Sequence, residues 1–484
     1  MAFQTFTYFV FLLGMVVGYY ALPTRLRWVL LLAGSYFFYM CWNARYALLL
    51  LLSTAVTYAA ALLIDRANGI EDGRARVRRK KAYVALSLVC NLGILFFFKY
   101  WNMIAATLDG ALELAGLSAR APRLQVLLPV GISFYIFQAL GYTVDVYRGD
   151  VRATRHFGKY ALFVSFFPQL VAGPIERSSR LLHQFDEIHR PNFETMRQGA
   201  FQILLGLIKK VLVADRLAVL VDMVYRQAGE YGAPAYIVAT VCFAFQIYCD
   251  FSGYSDMAIG IALLLGFRFN VNFDSPYQSA TITEFWRRWH ISLSSWLKDY
   301  LYISLGGNRK GKIRTYINLL ITMLLGGLWH GASVSFILWG ALHGVALAVH
   351  KFVMNHFSSF KPLGSEMKPW RRVIGVLITF HLVCFGWILF RADSMQTVGE
   401  VLTQIFTNFH PEVFMQFVVG YKGVFVLMVV GYILHFMPKS AENGLQAVVT
   451  RSPLLVQAVM LAIAIFVVVQ FKSAGVQPFI YFQF

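Results

Sequence analysis

Thirteen apolar runs punctuate the chain, near residues 4–22, 28–42, 46–64, 83–105, 126–144, 158–173, 198–222, 235–266, 315–329, 333–354, 372–390, 421–437 and 453–471. Most approach the ~20 residues that a helix needs to cross the hydrocarbon core of a bilayer. Several are too short or too interrupted for a simple crossing. The pattern therefore predicts an all-α polytopic membrane protein with about ten to twelve transmembrane helices, plus re-entrant and interfacial pieces. No internal repeat, low-complexity tract or soluble domain breaks the pattern, so one membrane domain over residues 1–484 is the simplest organisation. The first run, from about Phe3 to Leu22, lacks a basic flank and a small-residue cleavage site. It is read as a first membrane helix, not a removed signal.

The loops set an orientation. Ile64 to Lys81 carries Arg66, Arg74, Arg76, Arg78, Arg79, Lys80 and Lys81, which assigns it to the cytoplasm. Counting back places the N-terminus outside, and Arg25 and Arg27 then fall inside. The basic connection from Tyr147 to Lys159 is again cytoplasmic.

The centre departs from this regularity. Residues 250–333 mix aromatics, charges and glycines, and Asp250 to Lys312 holds no clean span. Within it, TITEFWRRWHISLSSWLKDYLY (Thr281 to Tyr302) places Trp286, Trp289 and Trp296 on one broad helical face. A segment this polar lies along the interface or lines a cavity, since polar groups at membrane depth need partners or water.

Composition agrees with the membrane reading: 58% of residues are hydrophobic, 14% are charged and the mean hydropathy is +0.59. Soluble domains carry about a quarter charged residues. The net charge of +19 sits in short connections between apolar runs, as the positive-inside rule produces, and argues against nucleic acid. The cysteines (Cys41, Cys90, Cys242, Cys249, Cys384) lie in or beside apolar stretches and form neither a zinc-type pair nor a disulfide framework.

Two histidines stand out. His330 follows Gly326, Gly327 and Trp329 in LLGGLWHGAS; an imidazole there either transfers protons or hydrogen-bonds a neighbouring helix. His290 follows Arg287, Arg288 and Trp289, and is either a site residue or a solvated interfacial one. His343, in LWGALHG, is a weaker candidate. DFSGYSDMA sets Asp250 and Asp256 in an apolar stretch, where they either orient donors in a cavity or pin helices together. No HExxH, paired Cys/His or carboxylate cluster suggests a metal. GxSxG is absent. GGNRKGK (Gly306 to Lys312) imitates a phosphate-binding loop but continues with Ile313 where Ser or Thr is needed, so it reads as a basic cytoplasmic loop. FIYFQF, residues 479–484, has the composition of an interfacial anchor.

Five runs in order carry a resemblance: PVGISFYIFQALGYTVDVYRGD (Pro129 to Asp150), FFPQLVAGPIER (Phe166 to Arg177), DFSGYSDMAIGIALLLGFRFNVNFDSPYQS (Asp250 to Ser279), FWRRWHISLSSWLKDYLYISLGGNR (Phe285 to Arg309) and LLGGLWHGAS (Leu324 to Ser333). Together they resemble the membrane-bound O-acyltransferases. Within that family the likeness is to bacterial membrane proteins of alginate O-acetylation, with the D-alanyl transfer proteins of teichoic-acid modification as cousins. The resemblance implies a ring of tilted helices around a central funnel. It assigns His330 to the principal catalytic position and His290 to the second. Asp250 and Asp256 match the acidic motif, and Trp329, Trp286, Asp299 and Tyr300 fall in the matched runs as supporting or cavity residues. By analogy with a similar aromatic terminus, Tyr481 becomes a candidate acyl carrier.

The activity implied is transfer of an acetyl group, from acetyl-CoA or another acyl thioester, for O-acetylation of an exopolysaccharide. No tightly bound cofactor is implied. The setting would be the bacterial inner membrane, with an extracytoplasmic polysaccharide acetyltransferase as partner. Other readings are D-alanyl or other acyl transfer to teichoic acid, lipid or protein, an acyl-group transporter or channel subunit, and a structural subunit of an export complex.

Overall fold

The computed structural model describes residues 3–171, 173–227, 229–357, 368–471 and 479–480. Every regular element among the described residues is helical, and none is a strand. Among the described residues, five helices are long and apolar enough to cross a membrane: Tyr46–Ala67, Gly73–Leu114, Ala233–Leu264, Val334–His356 and Pro369–Arg391. The count rises to seven if each of two sharply bent pairs is one span: Pro411–Gly420 with Lys422–His435, and Lys439–Arg451 with Leu454–Ala464. The chain is thus an all-helical, multi-pass membrane protein. Among the described residues this is fewer than the ten to twelve crossings expected from apolar runs, and several of those runs are shorter or more polar than a simple span. The run at 158–173 is the nine-residue helix Phe157–Ser165 followed by a turn. The run at 198–222 continues unbroken through Phe193–Leu207, the π-helical Ile208–Ala214 and Asp215–Arg226, but Lys209, Lys210, Asp215 and Arg216 interrupt its apolar character. Near 126–144 the helix starts only at Ile132.

The chain divides into two compact units, Met1–Ile203 with Met257–Asn270, and Leu204–Asp256 with Val271–Phe484. In the first, small polar residues lace the helices together. Ser53 Oγ donates to Asn91 Oδ1 at 2.5 Å, and Tyr160 OH donates to Thr57 Oγ1 at 2.7 Å. Helices in lipid gain no hydrophobic drive from burying one another, so such bonds and close packing hold them. In the loop after Phe166, Glu176 accepts from the backbone N–H of Asn270 at 2.7 Å. Burial raises its carboxyl to about 7, against the pull of that bond and of Arg180 and Arg177.

Two long helices show opposite solvents. Gly73–Leu114 has 42 residues and is 17% buried in its most apolar window. At 1.5 Å per residue it is about 63 Å long, twice a hydrocarbon core, so its basic start from Arg74 to Lys81 projects beyond the lipid. Ala233–Leu264 is 83% buried in the equivalent window. Protein, not lipid, surrounds that helix, which is why it can carry Asp250 and Asp256.

Candidate functional site

The second unit holds the site. Helix Ile282–Arg288 starts under a Thr281 cap, whose hydroxyl accepts from Glu284 N–H at 3.1 Å. It ends at Trp289, and the chain turns through His290 at φ 44°, ψ 56° before helix Ile291–Trp296 begins. Left-handed backbone is uncommon for a side-chain-bearing residue and costs about 1–3 kcal/mol, so neighbouring bonds must hold it. Asn272 holds it. Its carbonyl accepts Ile291 N–H at 2.9 Å, and its side-chain oxygen accepts Ser292 N–H at 3.1 Å and Ser292 Oγ–H at 2.9 Å. The same oxygen lies 3.2 Å from His290 Nδ1.

That arrangement determines the histidine's tautomer. A backbone N–H can only donate, so the Asn272 atom facing Ser292 is oxygen, and its Nδ2 faces Ser255 Oγ at 3.2 Å. Ser292 Oγ also lies 3.5 Å from His290 Nδ1, but its hydroxyl has the nearer acceptor in Asn272 Oδ1 at 2.9 Å, so Nδ1–H is assigned as donor to that oxygen and Nε2 as the acceptor. The ring is fully buried against Phe251 at 4.6 Å, Phe273 at 6.3 Å and Trp329 at 6.0 Å. Burial drives its pKa down to about 3, so the imidazole is neutral. The solvated, interfacial alternative for His290 does not hold.

His330 ends helix Lys312–His330, which folds back through Gly331 onto Val334–His356. The two helices touch backbone to backbone: a Cβ on Gly327 would strike the Phe336 carbonyl, and one on Gly340 the Met323 carbonyl. Only glycines permit this hairpin. It places the His330 ring 5.0 Å from Trp329, 5.0 Å from Trp339 and 5.3 Å from Phe390. Trp329 therefore touches both histidines. His343 is fully buried among Phe285, Trp286 and Trp339, and neither ring nitrogen has a hydrogen-bond partner among the described residues.

A cavity of about 610 Å³ opens beside this cluster, lined by Thr283, Trp286, Arg287, Lys298, Asn308, His350 and Lys351 among others. Its wall holds three cationic side chains and no carboxylate. His350 Nδ1 is fixed by Thr283 Oγ1 at 2.8 Å, and Lys351 Nζ donates to Asn308 Oδ1 at 2.6 Å. Trp286 belongs to the wall. Asp299 and Tyr300 do not: Asp299 lies 3.9 Å from Lys298, and the Tyr300 ring packs on Trp296 at 5.1 Å.

The acids of DFSGYSD face elsewhere. Asp250 pairs with Lys210 at 2.6 Å, and Lys210 also reaches Asp215 at 2.9 Å. Asp256 pairs with Lys209 at 2.6 Å. Both lysines come from the π-helical turn, and the chain there approaches so closely that a Cβ on Gly253 would lie 2.7 Å from the carbonyl oxygen of Gly206, just before the turn, and 3.3 Å from the Lys210 backbone nitrogen within it. Of the two readings open for these acids, the structure has them pinning segments together, while Phe251 and Ser255 on the same helix support His290 and Asn272. Asp250 also accepts the backbone N–H of Ile480 at 2.7 Å. Tyr481 lies outside the described residues. Asn272, Lys209 and Lys210 were not singled out in the sequence; the signal available was two lysines in one apolar run matching two aspartates in another. Among the described residues, no three His, Cys, Asp or Glu side chains converge as a metal site.

Three relatives bear on this geometry. The profile of the MBOAT, membrane-bound O-acyltransferase, family matches residues 123–391. A probable alginate O-acetylase of Pseudomonas syringae pv. tomato is 44% identical over 392 residues, covering 80% of this chain and 72% of that protein. A peptidoglycan O-acetyltransferase of Helicobacter pylori is 35% identical over 427 residues, 81% of this chain and 77% of its own length. A teichoic acid D-alanyltransferase of Streptococcus thermophilus is more distant, at 30% over 284 residues, 54% of this chain and 68% of its own.

Proposed function

The chain belongs to the membrane-bound O-acyltransferase family, and from that footing we propose that it passes an acetyl group from a cytoplasmic thioester towards O-acetylation of an alginate-like exopolysaccharide. It is an acyltransferase; the donor, the acceptor and the residue roles are our reading. The carrying observation is that Trp329 joins His290 and His330 in one buried aromatic cluster beside a cation-lined cavity.

Acyl transfer to a hydroxyl needs a base for its proton and a fixed approach to the carbonyl. His330 takes the proton as the hydroxyl oxygen attacks the thioester carbonyl. The C–O bond forms, the C–S bond breaks, and the proton passes to the departing thiolate sulfur. His290, neutral with Nε2 as acceptor, suits orienting that hydroxyl better than steadying an oxyanion, which requires a donor. Arg287, Lys298 and Lys351 suit an anionic thioester carrier such as acetyl-CoA, and Asn308 ties the cavity to the basic loop assigned to the cytoplasm. Tyr481 is the proposed accepting hydroxyl, with a separate extracytoplasmic transferase completing delivery outside the inner membrane.

The test is mass spectrometry of extracellular polysaccharide from cells with wild type, His330→Ala or no copy. General base catalysis contributes about 10²–10⁴-fold, so His330→Ala should lose O-acetyl groups while its protein level is retained. Equal acetylation in all three strains would overturn the polysaccharide reading.

A further inference from the structure

The described end of the chain is seated in the interior. Phe479 is fully buried, with its ring 4.5 Å from Tyr254 and 5.5 Å from Phe251, and Ile480 is 3% exposed. The backbone N–H of Ile480 donates to Asp250 Oδ2 at 2.7 Å, while the other oxygen of that carboxylate is held by Lys210 at 2.6 Å. Lys210 is itself buried, shared with Asp215 and lies 5.8 Å from the Tyr254 ring. One lysine thus serves two carboxylates, and the peptide N–H helps satisfy the second. Phe251, bonded to Asp250, meets Phe479 with its ring and also meets His290 at 4.6 Å.

We propose that Asp250 is a positioning residue for the segment at Phe479 and Ile480: its carboxylate, fixed by Lys210, latches the backbone at Ile480 and seats Phe479 against Phe251, whose ring also meets His290. The N–H contact to Asp250 sets the depth at which the segment seats, and the buried Phe479 ring packs beside it. The purpose rests on the acyl-transfer reading above, whereas the latch itself does not.

The test uses the full-length protein in detergent, with Ile480→Cys as reporter and exposed Cys41 as internal standard. Modification by N-ethylmaleimide is followed residue by residue by mass spectrometry. The introduced thiol should react far more slowly than Cys41. Asp250→Ala should accelerate it roughly 10- to 100-fold, the span of a lost hydrogen bond to a charged group. Asp222→Ala breaks the ion pair with Arg391 at 2.7 Å elsewhere in the same unit, and should leave the rate alone. If the Asp250→Ala protein does not fold, Asp250→Asn carries the test, with acceleration expected in the same direction. An unchanged rate on altering Asp250, or equal acceleration by Asp222→Ala, would overturn the latch. Ile480→Pro removes the N–H that Asp250 accepts, while also fixing the local backbone. It should abolish polysaccharide acetylation, with Ile480→Val restoring it; acetylation retained in the proline variant would overturn the positioning role even if the labelling result stood.

Discussion

Replacing Asn272 should disturb stability and chemistry separately, according to the substitute. Asn272→Ala withdraws one oxygen from three donors: Ser292 N–H at 3.1 Å, Ser292 Oγ–H at 2.9 Å and His290 Nδ1–H at 3.2 Å. A buried donor left unsatisfied costs about 1–3 kcal/mol, and members of one network do not add fully, so the loss is about 3–6 kcal/mol. The left-handed turn at His290 loses its brace at the same time. Asn272→Asp keeps the shape and the acceptor but sets a negative charge beside a neutral imidazole. An opposite charge at this range raises a pKa by about 1–3 units, moving His290 from about 3 into the range of about 4–6. The acceptor at Nε2 is then lost wherever the ring protonates, so activity should fall on the acid side at higher pH than in the parent. Two measurements decide it: thermal melting in detergent for Asn272→Ala, and initial acetyl-transfer rates in membrane vesicles between pH 4.5 and 8 for Asn272→Asp. An unchanged melting temperature in the first and an unmoved acid limb in the second would refute both the bracing role and the tautomer.

Two further outcomes follow from the geometry. Gly327→Ala should destabilise the hairpin by at least about 1–3 kcal/mol, because its methyl meets the Phe336 carbonyl, and should lower both melting temperature and acetylation. Lys351→Glu should raise the donor KM about tenfold or more at low salt with a smaller change in kcat, and the difference should shrink as salt screens the cavity; a salt-independent KM would remove the donor from this cavity.

The apolar runs made the helical, membrane-embedded fold legible, because bilayer thickness imposes a length that survives in any single sequence. They overstated the crossings because hydropathy does not register where a helix ends: the run at 158–173 holds only the nine-residue helix Phe157–Ser165 before a turn, and the widened turn at Ile208–Ala214 aims Lys209 and Lys210 at two aspartates. The two histidines were visible as costly groups in apolar or aromatic settings. Which nitrogen of His290 carries its proton was not, because that is decided by Asn272, a partner 18 residues away with no periodic relation to it. Asp250 and Asp256 illustrate the same limit. Their depth marked them as needing partners, and only the fold says which.

The order of those partners along the chain bears on how the protein is made. An unpaired aspartate or lysine at the centre of an inserting helix costs about 2.5–3.5 kcal/mol. Lys209 and Lys210 leave the ribosome before Asp250 and Asp256, so bases are already in place when the acids arrive. Helix Ala233–Leu264 can then settle as a set of neutral pairs instead of isolated charges. Insertion of this segment is thereby coupled to assembly, and reversing the charges at both ends of each pair would keep the contacts and leave the same segment waiting for the other.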